Sequence, residues 1–225
     1  MIKAVLFDLD NTLIDFVKMK LECSKESVKA MIKAGLEMDE ETAYNKLLEL
    51  YYETSLEDHL IFQHFLKKNT GKVDYKILSA AIVAYKKIVN GLLIPYEGVY
   101  DTLKKLKSKG LILGVVTDAR KLNAWIRLTS AGLSNYFEIV LTLGDSKYKK
   151  PHKRPFIKAA RQLKLKPEEI IFVGDNPQRD IKGAKKVGMK TAFAQYGFSF
   201  KEKTNNEDEK PDYILNEFND LLKII

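Results

Sequence analysis

The stretch Ala4-Val5-Leu6-Phe7-Asp8-Leu9-Asp10-Asn11-Thr12 constrains this chain more than any other. Four apolar residues run straight into two acids spaced i, i+2, followed by a small hydroxyl residue. An apolar run this short, bounded by polar residues, reads as a strand buried on both faces. A buried strand that ends in carboxylates delivers them to the crevice where open α/β sheets bind ligands. With Leu9 keeping the extended period of two, Asp8 and Asp10 point the same way. Two carboxylates about 4 Å apart repel by about 4 kcal/mol at an effective dielectric near 20. Such a pair demands a cation or a proton, and both options are catalytic chemistry.

After Thr12 the periodicity changes. Residues 16–93 read as helices: Leu21, Val28, Met31 and Ile32 share one face of a segment Val17–Lys33, and Asp39 is placed to cap the next helix. A shorter helix is expected from His59 to Lys68, and Asp74 starts another whose buried stripe includes Ile77, Leu78, Ala81 and Tyr85. Four successive amphipathic helices make a bundle, here inserted into an α/β pattern. Ile94 to Gly98 reads as a second hinge strand. From there strands and helices alternate. Strands are expected at Leu111–Val116, Ile139–Leu141, Glu169–Val173, Lys190–Ala194 and Asp212–Leu215. Helices are expected at Tyr100–Lys109, Lys121–Ala131, Phe156–Leu163 and Gln178–Val187, with Asn216 capping a last one. Short-looped βα units imply a parallel sheet covered on both faces. The expected architecture is therefore a Rossmann-like α/β core, residues 1–15 and 94–225, carrying a helical insertion at residues 16–93.

Composition narrows the partners. Hydrophobic residues make up 45% of the 225, enough for a full core, and the one cysteine, Cys23, rules out an internal disulfide and suits a reducing cytoplasm. No apolar run reaches the ~20 residues of a membrane span, and the N-terminus has no signal-peptide pattern. A net charge of +8 invites a nucleic-acid reading. The lysines, however, are scattered among Glu and Asp, and such a Lys/Glu-rich surface is common at high temperature. The expectation is a cytoplasmic protein with neither nucleic acid nor membrane as partner, existing as a monomer or homodimer. The charged run Lys201–Lys210 reads as a solvated loop.

Several strand ends share one character. Asp8 and Asp10 follow the first strand, Thr117 and Asp118 the second, Asp175 the fourth, and Asp180 lies one turn further. Between the third strand and its helix runs a basic loop from Lys147 to Pro155. Acids, a hydroxyl and a lysine on one sheet edge make an oxygen-rich pocket. Oxygen-only ligation favours Mg²⁺ over zinc, and a lysine beside a hydroxyl and loop amides suits a phosphate.

These motifs resemble those of the haloacid dehalogenase-like (HAD) hydrolases. Asp8-Leu9-Asp10-Asn11-Thr12 is similar to motif I (DxDxT), Val115-Val116-Thr117-Asp118 to motif II, Lys150-Pro151 to motif III, and Gly174-Asp175-Asn176-Pro177-Gln178-Arg179-Asp180 to motif IV (GDxxxxD). The four stand in the family's order, and the helical insertion directly after motif I resembles a C1-type cap. In one place the chain departs from the pattern: Lys153 stands where motif III usually has a second proline. Lys147 and Lys149 lie close by as other candidates for the motif III lysine.

The resemblance implies a Mg²⁺-dependent phosphatase. Asp8 would be the nucleophile that forms an aspartyl-phosphate, and Asp10 would protonate the leaving alkoxide and then take a proton from water. Thr117, Asp118 and Lys150 would bind the phosphate. Asp8, Asp10 through its backbone carbonyl, and Asp175 would hold the metal, with Asp180 supporting its waters. Relatives that dehalogenate attack carbon and need no proton donor at the position of Asp10, so its presence points to phosphoryl transfer. The implied substrates are small phosphorylated metabolites: sugar or triose phosphates such as glyceraldehyde 3-phosphate, or phosphoglycolate. A phosphomutase and a nucleotide monophosphatase are the alternatives. Lys18 and Lys20 could read a second anionic group. Cys23 and Trp125 read as packing residues, His59 and His64 as packing or surface positions, and His152 as a neighbour that tunes the Lys150 loop.

Overall fold

The computed structural model describes residues 1–197 and 210–225, so the charged run expected as a solvated loop lies, except for Lys210, outside the described residues. Among the described residues six strands form one parallel sheet in the order β3-β2-β1-β4-β5-β6. They are β1 (Ala4–Phe7), β2 (Ile112–Val116), β3 (Ile139–Leu141), β4 (Ile170–Gly174), β5 (Lys190–Ala194) and β6 (Tyr213–Leu215). The chain walks from β1 outward to β3, then returns to β4 on the other side of β1. That reversal is the topological switch point at which such sheets leave a ligand crevice. Phe7 is in register with Val115 on one side and Val173 on the other, so the carboxyl ends of β1, β2 and β4 are level.

The β1 run has no polar alternation because both of its faces are covered. Ala4 and Leu6 pack with Phe156, Ala159 and Ala160 of a helix at Lys153–Leu163, together with Phe172. On the opposite face the Phe7 ring stacks on Phe218 at 5.7 Å and meets Phe137 edge-on at 6.2 Å. Parallel strands are buried in this way and read as continuous apolar runs.

Two compact units are present: Met1–Phe16 with Leu93–Ile225, and Val17–Leu92. The second holds most of α1 (Phe16–Lys33), with α2 (Glu40–Glu53), α3 (Ile61–Thr70) and α4 (Tyr75–Ile88). Its own core includes Val28, Met31, Leu47, Phe65, Leu66 and Leu78. Asp39 and Asp74 cap α2 and α4 through the backbone N–H groups of Thr42 and of Lys76 and Ile77, as the sequence predicts. The third helix begins and ends two residues later than expected; Gly71, with φ of +75°, terminates it in a left-handed turn that favours glycine.

The first unit contains α5 (Val99–Ser108), α6 (Lys121–Ser130), α7 (Leu143–Ser146), α8 (Lys153–Leu163) and α9 (Lys182–Lys185). Four expectations need correction here. The hinge at Ile94 to Gly98 is a single bridge, Ile14 to Pro95, because proline has no N–H for a ladder. The helix expected at Gln178–Val187 is a one-turn π segment, Pro177–Ile181, followed by the short α9. The last helix is a 3₁₀ segment, Phe218–Lys223, and it is the Asp220 carboxylate that accepts the N–H groups of Asn216 and Glu217. Trp125 is 38% exposed rather than packed. No helix among the described residues is long and apolar enough to cross a membrane.

Candidate active site

The strand ends carry the chemistry. As β1 ends, Asp8 donates its N–H to the Val173 carbonyl at 2.9 Å, and its Oδ1 accepts the Leu9 N–H at 2.8 Å. Asn11 then takes a left-handed conformation with φ of 58°, which Asn tolerates better than most residues. The buried Tyr196 hydroxyl donates to the Thr12 carbonyl at 2.7 Å. A Cβ on Gly197 would run into the Asn11 carbonyl, so glycine is required where this turn is braced.

Beside Asp8, β4 delivers Asp175, and the π turn behind it brings Asp180 back to the same place. Oxygen atoms of Asp8, Asp175 and Asp180 all lie within 4.8 Å of one another, and all three residues are buried. The wide turn explains how: the Asn176 N–H donates to Asp180 Oδ2 at 3.0 Å, and Gly174 leaves room for that carboxyl group. One-turn π segments recur at functional sites. Thr12 Oγ1 donates to Asp175 Oδ1 at 3.3 Å.

Lys150 supplies a cation among these acids. Its Nζ lies 2.9 Å from Asp8 Oδ1 and 2.6 Å from Asp180 Oδ1, with the side chain fully buried. Lys147 and Lys149 are exposed, which separates the three lysine candidates. Asp118 holds the loop, since its Oδ1 accepts the Lys150 backbone N–H at 3.0 Å. The Asp118 carboxylate is thus engaged with the loop, and it would repel a phosphate; only its backbone could serve one. Thr117 is buried at the end of β2, its Oγ accepting the Ala119 N–H at 3.1 Å.

Burial lifts the Asp175 carboxyl well above the usual carboxylate range, and repulsion from Asp180 and Asp8 adds to it. Asp180 is also raised, by burial first, while Lys150 pulls it down and Asp8 pushes it up. Burial opposes the Lys150 charge, yet the summed attraction of Asp180, Asp8 and Asp118 overcomes it and raises the ammonium. The cluster is short of positive charge. Three carboxylates in close reach, with neither His nor Cys among them, fit a hard divalent cation such as Mg²⁺.

Asp10 is set apart from this cluster. Its Oδ2 forms an ion pair with Arg127 of α6. Arg127 was not among the residues that the motifs single out, although a signal existed: with Ala124 and Leu128 it completes an i, i+3, i+4 stripe, so a charge sits on the apolar face. Arg179, half exposed, has Nη1 3.8 Å from Asp118 Oδ2 and also acts electrostatically on Asp180, Asp8 and Asp175.

The other residues singled out in the sequence have settings of their own. His152 caps α8 by accepting the Arg154 N–H at 3.1 Å and stacks on Tyr148. His64 pairs with Asp58 at the surface of the helical unit, and His59 is exposed. Lys18 is exposed; Lys20 lies over the Tyr51 and Tyr85 rings. Cys23 is buried, its thiol pushed up to about 11 by burial, which makes it inert.

Residues 5–194 match the family described as haloacid dehalogenase-like hydrolase. The chain belongs to that family. Among its relatives, the glyceraldehyde 3-phosphate phosphatase of Pyrococcus furiosus is 35% identical over 224 residues, covering 100% of this chain and 93% of the relative. The enzyme of the same name from Methanopyrus kandleri is 36% identical over 227 residues, covering 100% and 97%. A solved HAD phosphatase from Thermococcus onnurineus has the same fold, with a TM-score of 0.67 at 24% identity over 99% and 97% of the two chains. In this HAD-like hydrolase all four motif segments fall at the carboxyl edge of the sheet or in the loops that follow it.

Proposed function

We propose that this HAD-like hydrolase is a Mg²⁺-dependent phosphatase of small phosphorylated metabolites, with triose phosphates such as glyceraldehyde 3-phosphate as the first candidates. The observation that carries this reading is Lys150 held between Asp8 and Asp180 beside Asp175. A carboxylate reaches a phosphate dianion only where fixed positive charge offsets their repulsion. The substrate class is supported by relatives of matching length that carry the name glyceraldehyde 3-phosphate phosphatase.

Asp8 attacks phosphorus through a carboxylate oxygen. The ester P–O bond breaks, the leaving oxygen takes a proton from Asp10, and an aspartyl-phosphate remains. Water then attacks phosphorus, giving its proton to Asp10, while the bond from phosphorus to the Asp8 oxygen breaks and phosphate departs. Lys150 neutralises the nucleophile and the phosphoryl oxygens together, and Thr117 donates its hydroxyl to one of them. Asp8, Asp175 and the Asp10 carbonyl would hold Mg²⁺, with Asp180 in support. The ion, when bound, supplies positive charge to the phosphoryl group. The helical unit, which enters the chain directly after motif I, would serve as a C1-type cap. The enzyme would work in the cytoplasm as a monomer or homodimer on a freely diffusing substrate.

Phosphate release from a panel of small phosphate esters, with Mg²⁺ and with a chelator, tests the reading beside Asp8→Asn. Hydrolysis that needs both Mg²⁺ and Asp8 is expected. Turnover that survives Asp8→Asn would sink the mechanism.

A further inference from the structure

The two acids that follow β1 pair with different cations. Asp8 pairs with Lys150, and Asp10 pairs with Arg127, whose side chain is 8% exposed. Arg127 makes a second contact: its guanidinium carbon lies 4.1 Å from the centroid of the Phe16 ring. One planar cation on α6 therefore touches the chain at residue 10 and again at residue 16, where the first chain segment of that compact unit ends. A buried arginine is an expensive way to fill a site flanked by Ala124 and Leu128; a hydrophobic side chain would serve packing as well or better. What the guanidinium adds is direction, since its fixed fork dictates where a carboxylate sits.

We infer that Arg127 is a positioning residue for Asp10: it draws that carboxylate away from the Asp8, Asp175 and Asp180 cluster and holds it in place for proton transfer. Lys150 already serves Asp8 and Asp180. Loss of Arg127 would remove the guanidinium fork that directs the Asp10 carboxylate. The acids of motif I pair with different cations, Lys150 for Asp8 and Arg127 for Asp10. This inference rests on the phosphatase reading, in which Asp10 gives a proton to the leaving oxygen and later takes one from water.

A double-mutant cycle with two substrates tests it. Wild type, Arg127→Met, Arg127→Lys, Asp10→Asn and the Asp10→Asn/Arg127→Met double variant are assayed with Mg²⁺ on glyceraldehyde 3-phosphate and on p-nitrophenyl phosphate. General acid–base catalysis contributes about 10²–10⁴-fold, so a misdirected Asp10 should lower kcat on the alkyl ester by about 10–100-fold with KM little changed. The nitrophenolate leaving group needs no proton, so its first-turnover burst should survive in Arg127→Met, followed by slow hydrolysis of the aspartyl-phosphate. Arg127→Lys should recover part of the rate, and in the Asp10→Asn background loss of Arg127 should cost less than about twofold more. Additive losses in the cycle, or equal losses of the first turnover on both esters, would overturn the inference. If Arg127→Met does not fold, the same cycle run with Arg127→Lys decides it. A wild type inactive on every ester would overturn the phosphatase reading and this inference together, whereas additivity in an active enzyme overturns this inference alone.

Discussion

Replacing Lys150 with methionine, which keeps the length and removes the charge, probes the acid cluster most directly. At an effective dielectric near 20, charges at the two observed separations of 2.9 and 2.6 Å attract by about 6 kcal/mol each. Desolvation of a fully buried ammonium offsets much of that sum, and removal of one partner from a buried ion pair costs about 3–5 kcal/mol net. At about 2–4 °C per kcal/mol for a chain of this size, Tm should fall by about 6–20 °C at pH 8 in chelator. The loss should depend on pH, and the sign follows from the shifts. Lys150 is raised above its ordinary value, so its contribution is complete below the unfolded lysine value and constant across neutral pH. Asp175 and Asp180 are raised carboxyls, so the folded state takes up their protons before the unfolded state does. Acidification from pH 8 toward pH 5 therefore relieves the uncompensated acids and should shrink the penalty of Lys150→Met. Thermal unfolding of wild type and variant at both pH values reads this out. A loss under 2 °C at pH 8, or one that grows on acidification, would refute the reasoning.

Mg²⁺ at about a hundredfold its Kd should stabilise the wild type by about 2.7 kcal/mol, or roughly 5–11 °C in Tm at pH 8. The raised Asp175 and Asp180 carboxyls make protons competitors, so that shift should diminish by pH 5; an equal shift at both would argue against this metal site. Gly174→Ala places a Cβ 2.5 Å from the Asp180 carboxyl carbon and should cost about 1–3 kcal/mol in chemical denaturation, with most of the Mg²⁺-induced shift lost. Tyr196→Phe removes the 2.7 Å bond to the Thr12 carbonyl and leaves that acceptor short of a partner, so about 1–3 kcal/mol should go, measured in the same way.

The architecture and the four motif segments were legible because each is a local pattern. A strand buried on both faces writes itself as an apolar run, and Ala4 to Phe7, Ile112 to Val116 and Ile170 to Gly174 each end at the residues that matter. N-caps such as Asp39 and Asp74 are equally local. Where expectation failed, a longer-range demand had intervened. The segment after Asp175 looks helical by periodicity, yet the Asn176 N–H draws Asp180 back and the chain widens into a π turn.

The α/β order, the helical insertion and the set of acids at the strand ends are written locally along the chain, because apolar period and capping chemistry act over a few residues. Which charges meet depends on how the chain folds back on itself. Asp118 draws in the Lys150 backbone, and Lys150, rather than its exposed neighbours Lys147 and Lys149, reaches Asp8 and Asp180. Arg127 reaches Asp10 from 117 residues away. Ion pairs of this kind depend on burial and on a crossover between strands, and neither leaves a mark in the spacing of residues along the chain. The two acids that repel on paper pair, in the folded chain, with different cations, Asp8 with Lys150 and Asp10 with Arg127.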